Sequence, residues 1–129
     1  MDLRNASAAR PELAADRVAT TASFGELVDG LSDILGKKLT AYLAGARDPD
    51  AIDDWAPIDA PAIVRERLRR AYVVALTLRS RDVPSVVQAW FTGLNPELDD
   101  RTPIRVLADG TEVEAQAVLT SARLFYAGG

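Results

Sequence analysis

VVQAWFTGLNPELDDRTPIRVLAD, residues 86–109, carries the signals that decide the fold. Its apolar start, with Trp90 and Phe91 side by side, stops at Gly93. Asn95-Pro96 follows and cannot lie inside a helix, because proline has no amide hydrogen and disfavours the α region for the residue before it. Leu98 and the acidic pair Asp99 and Asp100 come next, with the composition of a turn. Thr102-Pro103 then restarts a helix, the hydroxyl placed to cap free amides and the proline tolerated in the first turn. The order is helix, anchored loop, capped helix, and it predicts a folded corner of a small all-α bundle.

Downstream of the corner, Ile104, Val106 and Leu107 continue the restarted helix until Gly110. Thr111 and Glu114 form a capping-box pattern that opens a final helix, with Ala115, Val118, Leu119, Ala122 and Phe125 on one face. The chain closes on Leu124-Phe125-Tyr126-Ala127-Gly128-Gly129. Bulky aromatics followed at once by glycines read either as the end of the core or as a flexible tail that enters a partner's pocket.

Upstream, Pro61 starts the longest helix, to Arg81. Val64, Leu68, Ala71, Ala75 and Leu78 make its apolar stripe, widened by Tyr72 and Leu76. Its cations, Arg65, Arg67, Arg69, Arg70, Arg79 and Arg81, are relieved in sequence mainly by Glu66. They read as a solvated face paired with the Asp-rich segment before it rather than as a nucleic-acid surface, since no aromatic residues interleave with them. Asp82 or Val83 caps the next helix, with Pro84 in its first turn, and of the adjacent Trp90 and Phe91 one should be core.

Ser23 and Glu26 form another capping box, followed by Phe24, Leu27, Val28, Leu31, Ile34 and Leu35 at helical spacing and a stop at Gly36. A second short helix from Lys37 to Ala44 would carry Leu39, Tyr42 and Leu43 inward and end at Gly45. Asp48-Pro49 then caps a third piece, with Ile52 and Trp55 a turn apart, closed by Pro57. This is the outline of a helix-turn-helix unit. The third element contradicts a DNA-reading role, because residues 48–59 hold Asp48, Asp50, Asp53, Asp54 and Asp59 and no cation. Lys37, Lys38 and Arg47 flank it and are the weak nucleic-acid candidates. Residues 1–22 contain only Leu13 and Val18 as sizeable apolar groups beyond the initial Met1 and Leu3. Pro11-Glu12 suits a first helical turn, but so little can be buried that the segment reads as a flexible arm. The expected organisation is an arm over 1–22, a helix-turn-helix-like unit over 23–58 and a second helical domain over 59–129.

Composition narrows the function. At 129 residues, 48% hydrophobic and 26% charged, the chain can bury a real core. Its formal net charge of -4 does not attract nucleic acid as a whole. Cysteine and histidine are both absent, which removes thiolate chemistry, the commonest general base and the commonest metal ligand. There is no glycine-rich phosphate loop, and the carboxylate pairs Asp53–Asp54 and Asp99–Asp100 are sequence neighbours whose side chains diverge. With no signal-peptide core and no run long enough to span a bilayer, a soluble cytoplasmic interaction module without cofactor, and not an enzyme, is the expectation.

The corner and its flanks resemble the toxin-binding domain of the Xre/MbcA/ParS family of antitoxins. The residues that carry the resemblance are Trp90 and Phe91, Asn95-Pro96, Leu98, the Arg101-Thr102-Pro103 restart and the closing helix after Gly110. It covers roughly 61–129, with an Xre-like helix-turn-helix expected upstream. The resemblance implies an antitoxin that forms a homodimer and binds a RES-domain, NAD-consuming toxin, blocking the cleft with its C-terminal region. Carried onto this chain, Arg123, Leu124, Phe125, Tyr126, Gly128 and Gly129 become the blocking residues, and Asn95 and Leu98 structural residues of the corner. The acidic third element departs from the family's use of its helix-turn-helix to bind operator DNA. The competing readings are a DNA-binding regulator and a stand-alone scaffold dimer.

Overall fold

A computed structural model describes residues 11–46, 48–54 and 60–128. The described residues form an all-α bundle of seven α-helices: α1 (Pro11–Thr21), α2 (Phe24–Leu35), α3 (Lys37–Ala44), α4 (Ala62–Arg79), α5 (Pro84–Thr92), α6 (Pro103–Asp109) and α7 (Glu112–Gly128). Two 3₁₀ segments, Pro49–Asp54 and Pro96–Leu98, complete them. Expectations placed on Arg47, Trp55, Pro57, Asp59 and Gly129 lie outside the described residues.

The bundle is built around α4. Val64, Leu68, Ala71, Ala75 and Leu78 are buried as their spacing requires, and so are Val73, Val74 and Thr77. A helix apolar on so much of its circumference has to be covered from several sides. Helices α1, α2, α3 and α7 supply most of the cover. One contiguous core, from Phe24 and Leu27 through Leu68 and Phe91 to Val118 and Ala122, crosses residue 59, where two units were expected to meet. Gly30 lets α2 come close to α4, since a Cβ there would stand 2.4 Å from the Tyr72 hydroxyl.

The capping boxes form as read. Ser23 accepts from the Glu26 amide at 3.1 Å and Glu26 accepts from the Ser23 amide at 3.1 Å. Val83 is the N-cap of α5 and Thr102 that of α6, each with proline next in the chain. The C-termini use a different device. None of α2, α3 and α7 has a basic residue in its last turn, yet each has a late carbonyl engaged by a side chain from elsewhere. Gln88 donates to the Ile34 carbonyl at 2.9 Å, Arg67 donates to that of Leu43 at 3.0 Å, and Arg81 donates to that of Tyr126. Such carbonyls have no partner within their own helix, so each bond satisfies an orphan acceptor and ties two elements together.

Four expectations are corrected. Residues 11–21 are not an arm but a helix docked on α4. Ala15 and Ala19 are buried with Val73, against Tyr72, Leu76 and Leu119. What the arm reading missed is that α1 contributes little apolar surface of its own and instead covers that of α4 and α7. The third piece of the helix-turn-helix outline is 3₁₀, not α, over Pro49–Asp54, its start held by the Asp48 carboxylate accepting from the Asp50 amide at 2.9 Å. Tyr42 is exposed rather than inward, whereas Leu43 is fully buried. The aromatics at the end of the chain lie within α7, which continues through Gly128, rather than on a flexible tail.

The docking of α1 sets a test. Ala19 has 0% of its surface exposed, so Ala19→Leu overfills the contact and should destabilise by about 1–3 kcal/mol. Leu13→Ala, at a 49% exposed position, should change stability by less than about 0.5 kcal/mol. Urea titration reads both, and amide exchange over 11–21 should accelerate only in the first.

Candidate partner-binding groove

Where the α5–corner segment meets the end of α7, the bundle opens into a groove of about 390 Å³. One wall is the end of α5 and its continuation, Ala89, Trp90, Gly93 and Leu94, and the other is Ser121, Leu124 and Phe125 of α7. The corner residues Asn95, Pro96 and Glu97 close it below. Phe91 is fully buried, whereas Trp90, its neighbour in sequence, is half-buried and lines the groove. Their rings meet edge-on at 5.4 Å, and Trp90 reaches Phe125 at 6.4 Å between centroids. One aromatic is therefore core and the other bridges core and surface. Leu94 is 74% exposed, Leu124 55% and Phe125 40%. A cluster of large apolar side chains held this open to water is the usual mark of a protein-binding surface.

Asn95 holds the groove's shape. Its side-chain amide donates to the buried Ser121 hydroxyl at 2.8 Å, and its side-chain carbonyl accepts from the Glu97 amide at 2.9 Å. Its backbone carbonyl accepts from the amides of Leu98 and Asp100, both at 2.9 Å, and its own amide donates to the Arg101 carbonyl at 3.2 Å. Both ends of its side-chain amide are thus used, one to cap the 3₁₀ turn and one to fasten the corner to α7.

The turn from Leu98 to Arg101 has both central residues, Asp99 (φ 57°) and Asp100 (φ 60°), in the left-handed region, with the Arg101 amide returning to the Leu98 carbonyl at 3.2 Å. That pair of positive φ values defines a type I′ turn, and Asp is among the few side chains that tolerate it. The acidic pair is a turn device, as its composition suggested.

A second clamp fixes the start of α7. Arg101 donates from Nε to the Leu98 carbonyl at 3.0 Å and from its terminal nitrogen to the Glu114 carboxylate at 2.5 Å. Glu114 also accepts from the Thr111 amide at 3.1 Å, the reciprocal half of the capping box. The Arg101 hydrogen bond, aided by the Thr111 amide, holds the Glu114 carboxyl below its usual range. At the far end of α7, Arg81 donates to the Tyr126 carbonyl and lies 5.7 Å over its ring.

Of the residues read from sequence as partner-binding, Leu124 and Phe125 line the groove. Tyr126 is half-buried and turned to Arg81, Arg123 and Gly128 are exposed, and Gly129 is outside the described residues. Sequence reading missed Leu94 and Ser121. Leu94 stands isolated between Gly93 and Asn95, where no periodicity assigns it a face, and Ser121 gains its role only from Asn95 across the fold. Lys37 and Lys38 are exposed in the first turn of α3, and no α-helix among the described residues follows them in the reading position. Arg69 and Arg70 pair with Glu66, and Arg70 also reaches Glu112 at 3.4 Å. No protein-family model, curated protein or solved structure matches the chain.

Two measurements probe the corner. Asn95→Ala strands the Ser121 hydroxyl and an amide of the 3₁₀ turn, so it should cost roughly 1–3 kcal/mol by denaturant titration. The second uses pH. Because the folded-state pKa of Glu114 is depressed, its contribution is complete above the ordinary glutamate value of 4.5 and is lost as pH falls through the folded value. Glu114→Gln should therefore be less stable than the parent at neutral pH, with the gap closing as pH drops below 4.5. A gap that stayed constant into acid would show that the charge on Glu114 contributes nothing.

Proposed function

We propose that the protein is an antitoxin that binds a RES-type, NAD-consuming toxin and occludes its active site. The observation that carries the proposal is the groove at the end of α7, where Leu94, Leu124 and Phe125 stay exposed while the framework beneath them is tied down. A surface that is both apolar and pre-organised loses little freedom on association, which favours a stable protein complex. The groove also lies on the segment whose order of residues resembles the toxin-binding domain of the Xre/MbcA/ParS antitoxins.

In this reading the end of α7 acts as a short helical plug rather than as a loose tail. Leu124 and Phe125 supply the apolar contact, and Trp90 backs Phe125 from inside. The cytoplasm is the compartment such a pairing requires, and a homodimer is the form in which it would act. The proposal does not extend to operator DNA. Among the described residues the element after α3 is the 3₁₀ segment Pro49–Asp54, and it carries Asp50 where base reading needs donors.

Co-expression with a RES-domain toxin encoded beside this gene supplies the test, with growth as the readout. Full-length protein should restore growth. Leu94→Asp, and a chain ending after Leu124, should each lose neutralisation while keeping the helical circular dichroism of the parent. If full-length protein does not rescue, or if both variants rescue as well as the parent, the reading is lost.

A further inference from the structure

The groove's electrostatics say which partner segment it takes. Among the described lining residues Glu97 is the sole charged group, and Asp99 and Asp100 stand exposed beside it on the corner. The C-terminal end of α5 opens here, through Trp90 and Gly93, whereas that of α7 lies beyond the groove lining at Gly128, with Arg81 on the Tyr126 carbonyl. The last carbonyls of a helix lack intrahelical partners and give its end partial negative charge. The end of α5 and the Glu97 carboxylate therefore bias one apolar groove in the same direction.

The nearby cations do not cancel this. Arg101 is held by Glu114 and the Leu98 carbonyl. Arg81 sits on the Tyr126 carbonyl and ring, outside the groove lining. Arg123 is two residues from Phe125 on a helix, which turns it roughly 160° away from the groove wall.

Resting on the reading that the groove docks a protein, we infer that its occupant is a partner segment in which an aromatic or aliphatic anchor stands directly beside Lys or Arg. The anchor enters between Trp90, Leu94 and Phe125, and the cation lies over Glu97 and the open end of α5. An acidic or uniformly apolar segment of the same shape leaves those acceptors unpaired. The preference is electrostatic, so it weakens as salt rises.

The experiment is a random-peptide display selection on the full-length protein, with Leu94→Asp as the counter-selected target. Leu94 and Glu97 are both exposed, so neither substitution disturbs the core. Enriched peptides should share an aromatic or leucine next to Lys or Arg. Replacing that cation by Glu in a synthesised winner should weaken binding by about tenfold or more. The same replacement should cost little, or reverse, against Glu97→Lys. No enrichment over Leu94→Asp, winners that are neutral or acidic, or a cation-to-Glu cost unchanged in Glu97→Lys would each overturn the inference. Toxin neutralisation is read separately: a toxin that is not neutralised while the peptide preference holds removes the antitoxin reading alone, and a neutralised toxin without the preference removes this one alone.

Discussion

The burial of α4 governs everything else in this bundle. From Ala71 to Leu78 only Tyr72 and Leu76 stay partly accessible, so the helix has no side that it can give to solvent along that stretch. The other helices are arranged as its cover: α2 and α3 on one flank, α1 and α7 on the other. Burying a Leu or Val side chain is worth about 1.5–3 kcal/mol, whereas an exposed ion pair gives about 0–1 kcal/mol. The core around α4 therefore decides the fold, and the charged residues on its remaining surface only decorate it. Glu66 with Arg69 and Arg70 is one such decoration.

Covering a central helix leaves many helix ends to satisfy in a small volume, and the chain meets this by division of labour. N-termini are capped locally, by Ser23, Thr102 and the Thr111–Glu114 pair. C-termini are served from a distance by Gln88, Arg67 and Arg81. The local caps fix where helices begin. The remote ones couple elements far apart in sequence, and Arg81 in particular sets the last turn of α7 against the loop between α4 and α5. Because of that coupling, the groove wall made by Leu124 and Phe125 is part of the folded framework.

Local patterns explain what was legible in the sequence. Capping boxes, prolines at helix starts, terminating glycines and apolar periodicity are read within a few residues, and α2, α3, α5, α6 and the start of α7 follow them closely. What could not be read needed a partner from elsewhere in the chain. Residues 11–21 carry few apolar groups of their own, and their docking is favoured by the surface they cover on α4, visible only as the unbroken AYVVALTL run at 71–78. The glycines of the last residues suggest a loose end, whereas α7 runs through Gly128 with Arg81 holding the Tyr126 carbonyl. The groove itself was half legible. Phe125 and Leu124 stand out in the sequence, but the opposite wall at Leu94 and the Asn95–Ser121 bond exist only after folding.

The saturation of Asn95 has an evolutionary consequence. Each arm of its side-chain amide has a fixed partner, so aspartate would lose the donor to Ser121, glutamine would overshoot, and alanine would strand both partners. The floor of the groove is therefore closed to drift. Its walls are not: Leu94 and Leu124 face water, and exchanging them costs the fold little. The chemistry of the rim can thus be rewritten one residue at a time, while the geometry that presents it is inherited intact.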